Sequence, residues 1–546
     1  MSNPIVNVNV SIQVAPAPST LQKTGAFISQ GGTNTSPGTK SLLTQFSDLA
    51  PLLTAAKAIS SLTWSASPNI VTATTTAPHG FTNGDTVNLT IAGAVPAGYN
   101  GSFICTVTGT STFTYPLASN PGLETTPGTY VPGEVNSLVE RATTFFAQGS
   151  AQSVYVLELG PGNANDGVTF LTAWIAANPN VFYSYLVPRF WDGVASFLTM
   201  LGNFNATSAK TYFFVTTTLA TWQLYTPTMK CVVLLIEAPN YGAWPANALT
   251  AISYNSGVVT ATTTTNHGVV PGQYFTISGC SPSGYNGTFL ALAGTTGDTL
   301  AYALATNPGS ETVLGTLVQS QYASAGIPAT EFSLAAIFRV TLNYAPSSTN
   351  KVTPLNFGYV YGVTPFPTQG NNSLITTLLN AGVNLIGTGA QGGISATLVL
   401  GGTTLDGNPF KYWYSIDWVQ INLQLNLTAA LINGANNPQN PIDYNQPGIN
   451  TLQTVAVTTM NSGISDGLVL NPVQPSTFDA ADFQTALDVG TFDGYTIVNA
   501  DPFVTYTAEN PNDYQAGIYN GISVDYTPLR GFESITVNVT VTNFVS

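Results

Sequence analysis

The chain reads Val71-Thr72-Ala73-Thr74-Thr75-Thr76, then His79-Gly80, Gly84, Ile91, Gly93, Tyr99-Asn100-Gly101 and Phe103. It reads nearly the same again at Val259-Thr260-Ala261-Thr262-Thr263-Thr264, His267-Gly268, Gly272, Ile277, Gly279, Tyr285-Asn286-Gly287 and Phe289. The correspondence continues through Asn120-Pro121-Gly122, Glu124-Thr125 and Gly128-Thr129, matched by Asn307-Pro308-Gly309, Glu311-Thr312 and Gly315-Thr316. The offset is 188 residues at the histidines and 186 at Tyr-Asn-Gly, so the two stretches are copies of one unit. These are the only 2 histidines in the chain. Their shared position marks a repeated structural role before it marks a metal or a catalytic base.

Each copy alternates Thr or Val with apolar residues and is broken by Gly, Asn and Pro, the pattern of short antiparallel strands joined by tight turns. Asn-Gly between strand-like runs predicts a hairpin turn with both residues at positive φ. His-Gly predicts a turn with the imidazole bonded to nearby backbone. Neither copy offers a second His or a Cys pair at metal-ligand spacing, and Cys105 and Cys280 do not align. The flanking sequence differs in character, so the copies read as two insertions into one host. Through His-Gly, the following Gly, and Tyr-Asn-Gly with Phe two residues on, each resembles a β-module widespread in phage virion proteins and related to a small barrel of ubiquitin-activating enzymes.

At 546 residues the chain has room for three or four domains. Charged residues make up 7%, against about 25% in ordinary soluble proteins. An aromatic content of 11% excludes disorder. A surface short of Lys and Glu lacks the usual guard against self-association, which points to a protein covered by its own copies or by partners. The net charge of −14 is uneven. Residues 401–546 hold 13 acids against Lys411 and Arg530, a net −11. That excess repels phosphate backbones and excludes nucleic acid as a partner. The 3 cysteines form no disulfide framework. The start has no signal-peptide pattern, and no apolar run is long enough to insert in a membrane.

Outside the repeats the pattern is α/β. Helical stretches at 138–146, 168–176 and 193–201 alternate with apolar strands at 153–159, 181–187, 211–216 and 231–236, which predicts a largely parallel sheet covered on both faces. Further helices are expected at 331–342 and 371–380, the latter capped by Gly382. In the last third, 416–432 places Trp418, Ile421, Leu425, Ala429 and Ile432 on one helical face. Pro447-Gly448 opens a helix over 449–460, and 495–499 and 503–507 read as strands. Both ends of the sequence alternate strictly: Val6, Val8, Val10, Ile12 and Val14 near the start, and Ile535, Val537, Val539 and Val541 near the end. Neither run has the internal Pro or Lys that blunts a strand edge, so each is a candidate inter-subunit arm acting by strand addition.

The fold class expected is therefore α/β (α+β) and multi-domain, with two inserted all-β modules and terminal β-strand arms. The expected divisions are 1–60 (arm and part of the core), 62–133 (first β-module), 136–249 (α/β core), 250–318 (second β-module), 319–370 (α/β core) and 371–546 (C-terminal domain and arm).

Several motifs of the last third resemble the contractile tail sheath proteins of bacteriophages: Asp406-Gly407 before Tyr412-Trp413-Tyr414, Asp417-Trp418, Pro447-Gly448-Ile449, Tyr519-Asn520-Gly521-Ile522 and Thr527-Pro528-Leu529-Arg530-Gly531. The N-terminal strand followed by the loop at 31–39 fits as well. The resemblance implies a virion subunit, made in the host cytoplasm, that polymerises with itself around a tail tube protein between a baseplate and a tail terminator. It implies no enzyme activity, cofactor or metal. Contraction would run on better burial between rigid subunits, linked throughout by their arms.

Enzymatic readings have weaker footing. Gly32 to Ser41 brushes a phosphate-binding loop, but it has five residues between its glycines, an extra Thr before Lys40 and no strand leading in. Asp479/Asp482 and Asp488/Asp493 are carboxylate pairs of the kind a glycosidase uses. The rival readings are an adhesin or receptor-binding protein using the β-modules, and a tail-spike depolymerase.

Overall fold

A computed structural model describes residues 21–531, except 68, 118, 150–152, 207–209, 237–246, 265–266, 268, 270–273, 320–332, 343–345, 367–371, 390–395, 475–484 and 486–493. The alternating runs of Val6 to Val14 and Ile535 to Val541 lie outside the described residues, as do Asp479, Asp482, Asp488 and Asp493.

The chain opens with strands β1 (Gly25–Ser29) and β2 (Lys40–Leu43). A first all-β run follows: β3 (Lys57–Ser65), β4 (Ile70–Thr75), β5 (Thr86–Ala92), β6 (Gly101–Val107), β7 (Thr112–Pro116) and β8 (Thr129–Pro132). The α/β pattern then runs through α1 (Gly133–Ala147), β9 (Val154–Glu158), α2 (Ala164–Ala177), β10 (Ser184–Leu186), α3 (Ala195–Ala206), β11 (Tyr212–Thr217) and β12 (Cys231–Leu235). The second all-β run is β13 (Asn247–Asn255), β14 (Val258–Thr263), β15 (Tyr274–Ser278), β16 (Gly287–Leu290), β17 (Thr299–Ala303) and β18 (Thr316–Gln319). After it come α4 (Ser333–Thr341), α5 (Asn372–Asn380), β19 (Val383–Gly389), β20 (Ala396–Leu400), α6 (Phe410–Ala435), α7 (Gln446–Ser465), β21 (Ile497–Ala500) and β22 (Ile522–Asp525).

Eight strands form one sheet in the order β2-β9-β1-β10-β11-β12-β19-β20. The inner ladders are parallel, and the two outermost, β2/β9 and β19/β20, are antiparallel. Its central strands read as unbroken apolar runs because both faces are covered. Phe27, Val156, Tyr183, Phe214 and Val232 pack under α1, α4 and α6. Ala26, Ile28, Leu157, Phe213 and Val233 pack under α2, α3 and α5. Each large side chain so buried contributes about 1.5–3 kcal/mol.

Two helices differ from their sequence patterns. In α6 the face through Leu425, Ala429 and Ile432 is exposed. The helix is instead buried on two sides: Tyr414 and Ile421 meet the sheet layer, while Val419 and Leu423 pack on Ala456 and Met460 of α7. The expected strand at 503–507 is a helix, Phe503–Glu509. Pro502 precedes its first turn and Tyr506 is its buried residue. The C-cap expected after α5 is present, with Gly382 at φ +75° and its N–H bonded to the Leu379 carbonyl.

The strands within 57–132 close into a six-stranded barrel, β3-β4-β7-β6-β5-β8. Those within 247–319 form a six-stranded sheet in the order β16-β15-β18-β13-β14-β17. The repeated residues do the same work in both. Phe103 stacks on Tyr115 at 4.4 Å, and Phe289 on Tyr302 at 4.3 Å. Tyr99 donates to the Gly122 carbonyl and Tyr285 to that of Gly309, both at 2.8 Å. The strands on either side of Tyr-Asn-Gly pair as a hairpin, β5 with β6 and β15 with β16, but a 3-10 turn (Ala97–Tyr99, Ser283–Tyr285) stands in place of a tight Asn-Gly turn. Asn100 and Asn286 keep negative φ (−81° and −83°), and each side chain holds both backbone groups of Ala94 or Cys280. A Cβ on Gly128 or Gly315 would collide with the carbonyl of Ala92 or Ser278, which accounts for that repeated glycine.

Candidate functional site

In open α/β sheets a ligand sits outside the carboxyl ends of the strands, where the strand order reverses. Here that point lies between β1 and β10, and at the end of β9, on the other side of β1, the chain cradles a carboxylate of its own. Glu158, the last residue of β9, is buried. Its Oε2 accepts from Ser29 Oγ at 2.7 Å, Thr33 N at 3.0 Å and Thr33 Oγ1 at 2.7 Å. Its Oε1 accepts from Gly31 N and Gly160 N, both at 2.7 Å. The glycine-rich turn that brushes a phosphate loop thus directs its donors at a carboxylate of the same chain. Beside it Arg141 pairs with Glu134 at 2.6 Å and donates to the Ile28 carbonyl at 3.0 Å. Burial lifts the Glu134 carboxyl to about 7 although Arg141 acts the other way. The adjoining cavity, lined by Gln30, Asn88, Glu134 and Arg189, measures about 30 Å³, enough for about one water.

At the other end of the strands the C-terminal third is pinned to the sheet. Asp417 of α6 is buried, and its Oδ2 accepts from Tyr183 and Tyr212, each at 2.9 Å. The Tyr183 and Tyr212 rings lie 4.8 Å apart, and the Lys230 ammonium sits 4.5 Å from the centre of the Tyr212 ring. Burial, with Asp417 beside them, holds both phenols well above their usual range, so they stay donors. Burial pulls Lys210 and Lys230 down, and Asp417 acts against that.

Both ends of the described chain fasten to the start of this helix. Gln22 donates to the Tyr414 carbonyl at 2.9 Å. Arg530 donates to Asn408 at 2.8 Å, with its guanidinium 4.5 Å from the centre of the Tyr412 ring. The segment leading to Arg530 is held by Leu529 N to the Leu468 carbonyl at 2.8 Å and Leu470 N to that of Thr527 at 2.9 Å. Trp413 donates to Asp406 at 2.9 Å. The residues Asp406, Tyr412, Trp413, Tyr414 and Asp417 therefore come together beside Gln22 and Arg530, near the two ends of the described chain. Glu158 and Gln22 went unseen in the sequence. For Glu158 a signal existed: a lone acid closing an otherwise apolar strand.

Both imidazoles bond nearby backbone, as expected. Nδ1 of His79 accepts from Phe81 N at 3.1 Å and Nδ1 of His267 from Val269 N at 3.0 Å, and both rings are buried. Burial lowers the His267 pKa from 6.5, against the opposing pull of the Thr299 backbone and Asp298. Native His267 is thus neutral where the unfolded chain begins to take up a proton. The second β-unit is expected to keep a constant stability above pH 6.5 and to lose stability as the pH falls below it. Melting temperature against pH checks this; a His267→Gln variant should flatten the acid limb, and an unchanged limb would assign it to other groups.

No family model and no curated protein matches the chain. Among solved structures, a sheath tail protein from Listeria innocua aligns over 95% of this chain and 94% of that chain, at 9% identity and a TM-score of 0.36. A likeness that loose carries no argument about this chain.

Proposed function

We propose that this protein is a structural, non-enzymatic subunit of a contractile phage tail sheath, polymerising around a tube and linked to its neighbours by its terminal strands. The observation that carries the reading is the shared anchorage of the two ends of the described chain. Gln22 and Arg530 both fasten to residues 408–414, and those residues carry the sequence motif that resembles sheath proteins. Strand exchange between subunits needs firm roots, since a strand lent to a neighbour adds cohesion only if its base is fixed. Tube, baseplate and terminator partners, contraction by rigid-body movement and a place in the virion belong to this proposal.

The test is negative-stain electron microscopy of the purified full chain, alone and with the tube protein of the same tail. Hollow tubes or stacked rings of uniform width are expected. Removal of residues 1–15 or 533–546 should abolish them while leaving the melting temperature of the monomer unchanged. Single particles under both conditions would overturn the reading.

A further inference from the structure

We propose that copies of this chain meet head to tail through two unlike patches, a basic aromatic one along residues 351–361 and an acidic apolar lobe over residues 501–518. The inference rests on the sheath reading only for the polymer in which the contact is most easily seen.

The lobe is built around Tyr444. Its ring lies 5.1 Å from Tyr514, 5.9 Å from Phe503 and 6.0 Å from Tyr519. Its hydroxyl donates to the Ile518 carbonyl at 2.8 Å, and Tyr506 donates to Asp513 at 2.7 Å. On this fixed frame Val504 is 75% exposed, with Tyr514 and Ile518 also exposed. Asp501 and Glu509 stand exposed among them. Lys411 and Arg530 bracket a stretch with no Lys or Arg at all, so no base from that stretch offsets these acids.

The second patch lies along the far edge of the sheet. Residues 357–360 pair with β20 through Phe357 N to the Val399 carbonyl at 2.9 Å and Val360 N to that of Thr397 at 3.1 Å. Gln148 clamps Tyr361 by donating to its carbonyl at 2.7 Å and accepting from its N–H at 2.8 Å. Alternation then turns Phe357, Tyr359 and Tyr361 outward, the last two 57% and 60% exposed. Phe357 holds φ +63°, a left-handed conformation unusual for a bulky residue. Lys351 is exposed on the same segment, its stem beside Gly467, and Gly531 lies against Pro354.

The patches match in kind. Each presents about three large apolar side chains on a hydrogen-bonded frame, and their charges are opposite, the arrangement that fixes register and partner. Used head to tail, unlike patches make a heterologous contact. Each contact leaves a free patch at either end, which builds a ring or a helical strand. The occupant of each patch is thus a second copy of this chain.

A charge swap tests the pairing. Glu509→Lys and Lys351→Glu are each expected to reduce pelletable polymer about tenfold, and the double variant to restore it. Melting temperatures serve to show that all three fold. If Glu509→Lys pellets like the unaltered chain, or the double variant does no better than the singles, the pairing is wrong. If the unaltered chain forms no polymer, the sheath reading fails by itself, and the same set is compared by sedimentation velocity. Oligomers lost in the singles and regained in the double would uphold the contact, and a monomer at every concentration would overturn it.

Discussion

Asp417→Ala is expected to cost about 3–5 kcal/mol, because it removes one partner from a buried, charge-assisted network. The substitution strands two buried phenols, Tyr183 and Tyr212, each about 1–3 kcal/mol when left without an acceptor. It also removes the anion beside Lys210 and Lys230. Asp417→Asn keeps an acceptor oxygen and should lose less than half as much. Urea unfolding followed by tryptophan fluorescence gives the two values. An alanine variant within 1 kcal/mol of the parent would show that the seam is held by Phe410 and Ile421 packing alone.

Glu158→Ala should be costlier still, above about 4 kcal/mol, since five donors from two chain segments, 29–33 and Gly160, lose one acceptor at once. The vacated space keeps its donors, and that gives the prediction its specific form. Formate or acetate at tens of millimolar should raise the melting temperature of the alanine variant and leave the parent unmoved, whereas chloride at equal ionic strength should not. If no carboxylate rescues the variant, the loop at 31–33 has collapsed and the cradle is not preformed.

Much of the fold was open to reading because its signals are local. The runs at 211–216 and 231–236 are apolar without a break, which only a strand covered on both faces requires, and β11 and β12 sit there. The two β-units were legible because the repeat shows which residues matter. What could not be read depended on partners far away in sequence. α6 was assigned one apolar stripe, but it is wedged between the sheet and α7, so two narrower faces share its burial and Leu425 and Ile432 turn outward. Phe503-Val504-Thr505-Tyr506-Thr507 has the composition of a strand, and it is helical where Pro502 starts a turn and Tyr506 packs inward on Tyr519. The Asn of Tyr-Asn-Gly was free for a tight turn only while its bonds to Ala94 and Cys280 were unknown. Of the candidate site, the sequence marked Asp406, Tyr412, Trp413, Tyr414 and Asp417 by resemblance. It could not show that they share one place with Gln22 and Arg530, contacts that span 392 and 122 residues.

The anchorage of Gln22 and Arg530 at the start of α6 has a mechanical meaning. A pull transmitted along the chain beyond Leu21 or beyond Gly531 arrives at the same two turns of one helix. From there it passes through Asp417 into Tyr183 and Tyr212, at the heads of β10 and β11 in the middle of the eight-stranded sheet. Traction is thereby delivered to the interior of the sheet, where neighbouring strands share it, and not to β2 or β20, which would peel off one bond at a time. A chain so fastened is expected to take tension from both sides without being unravelled.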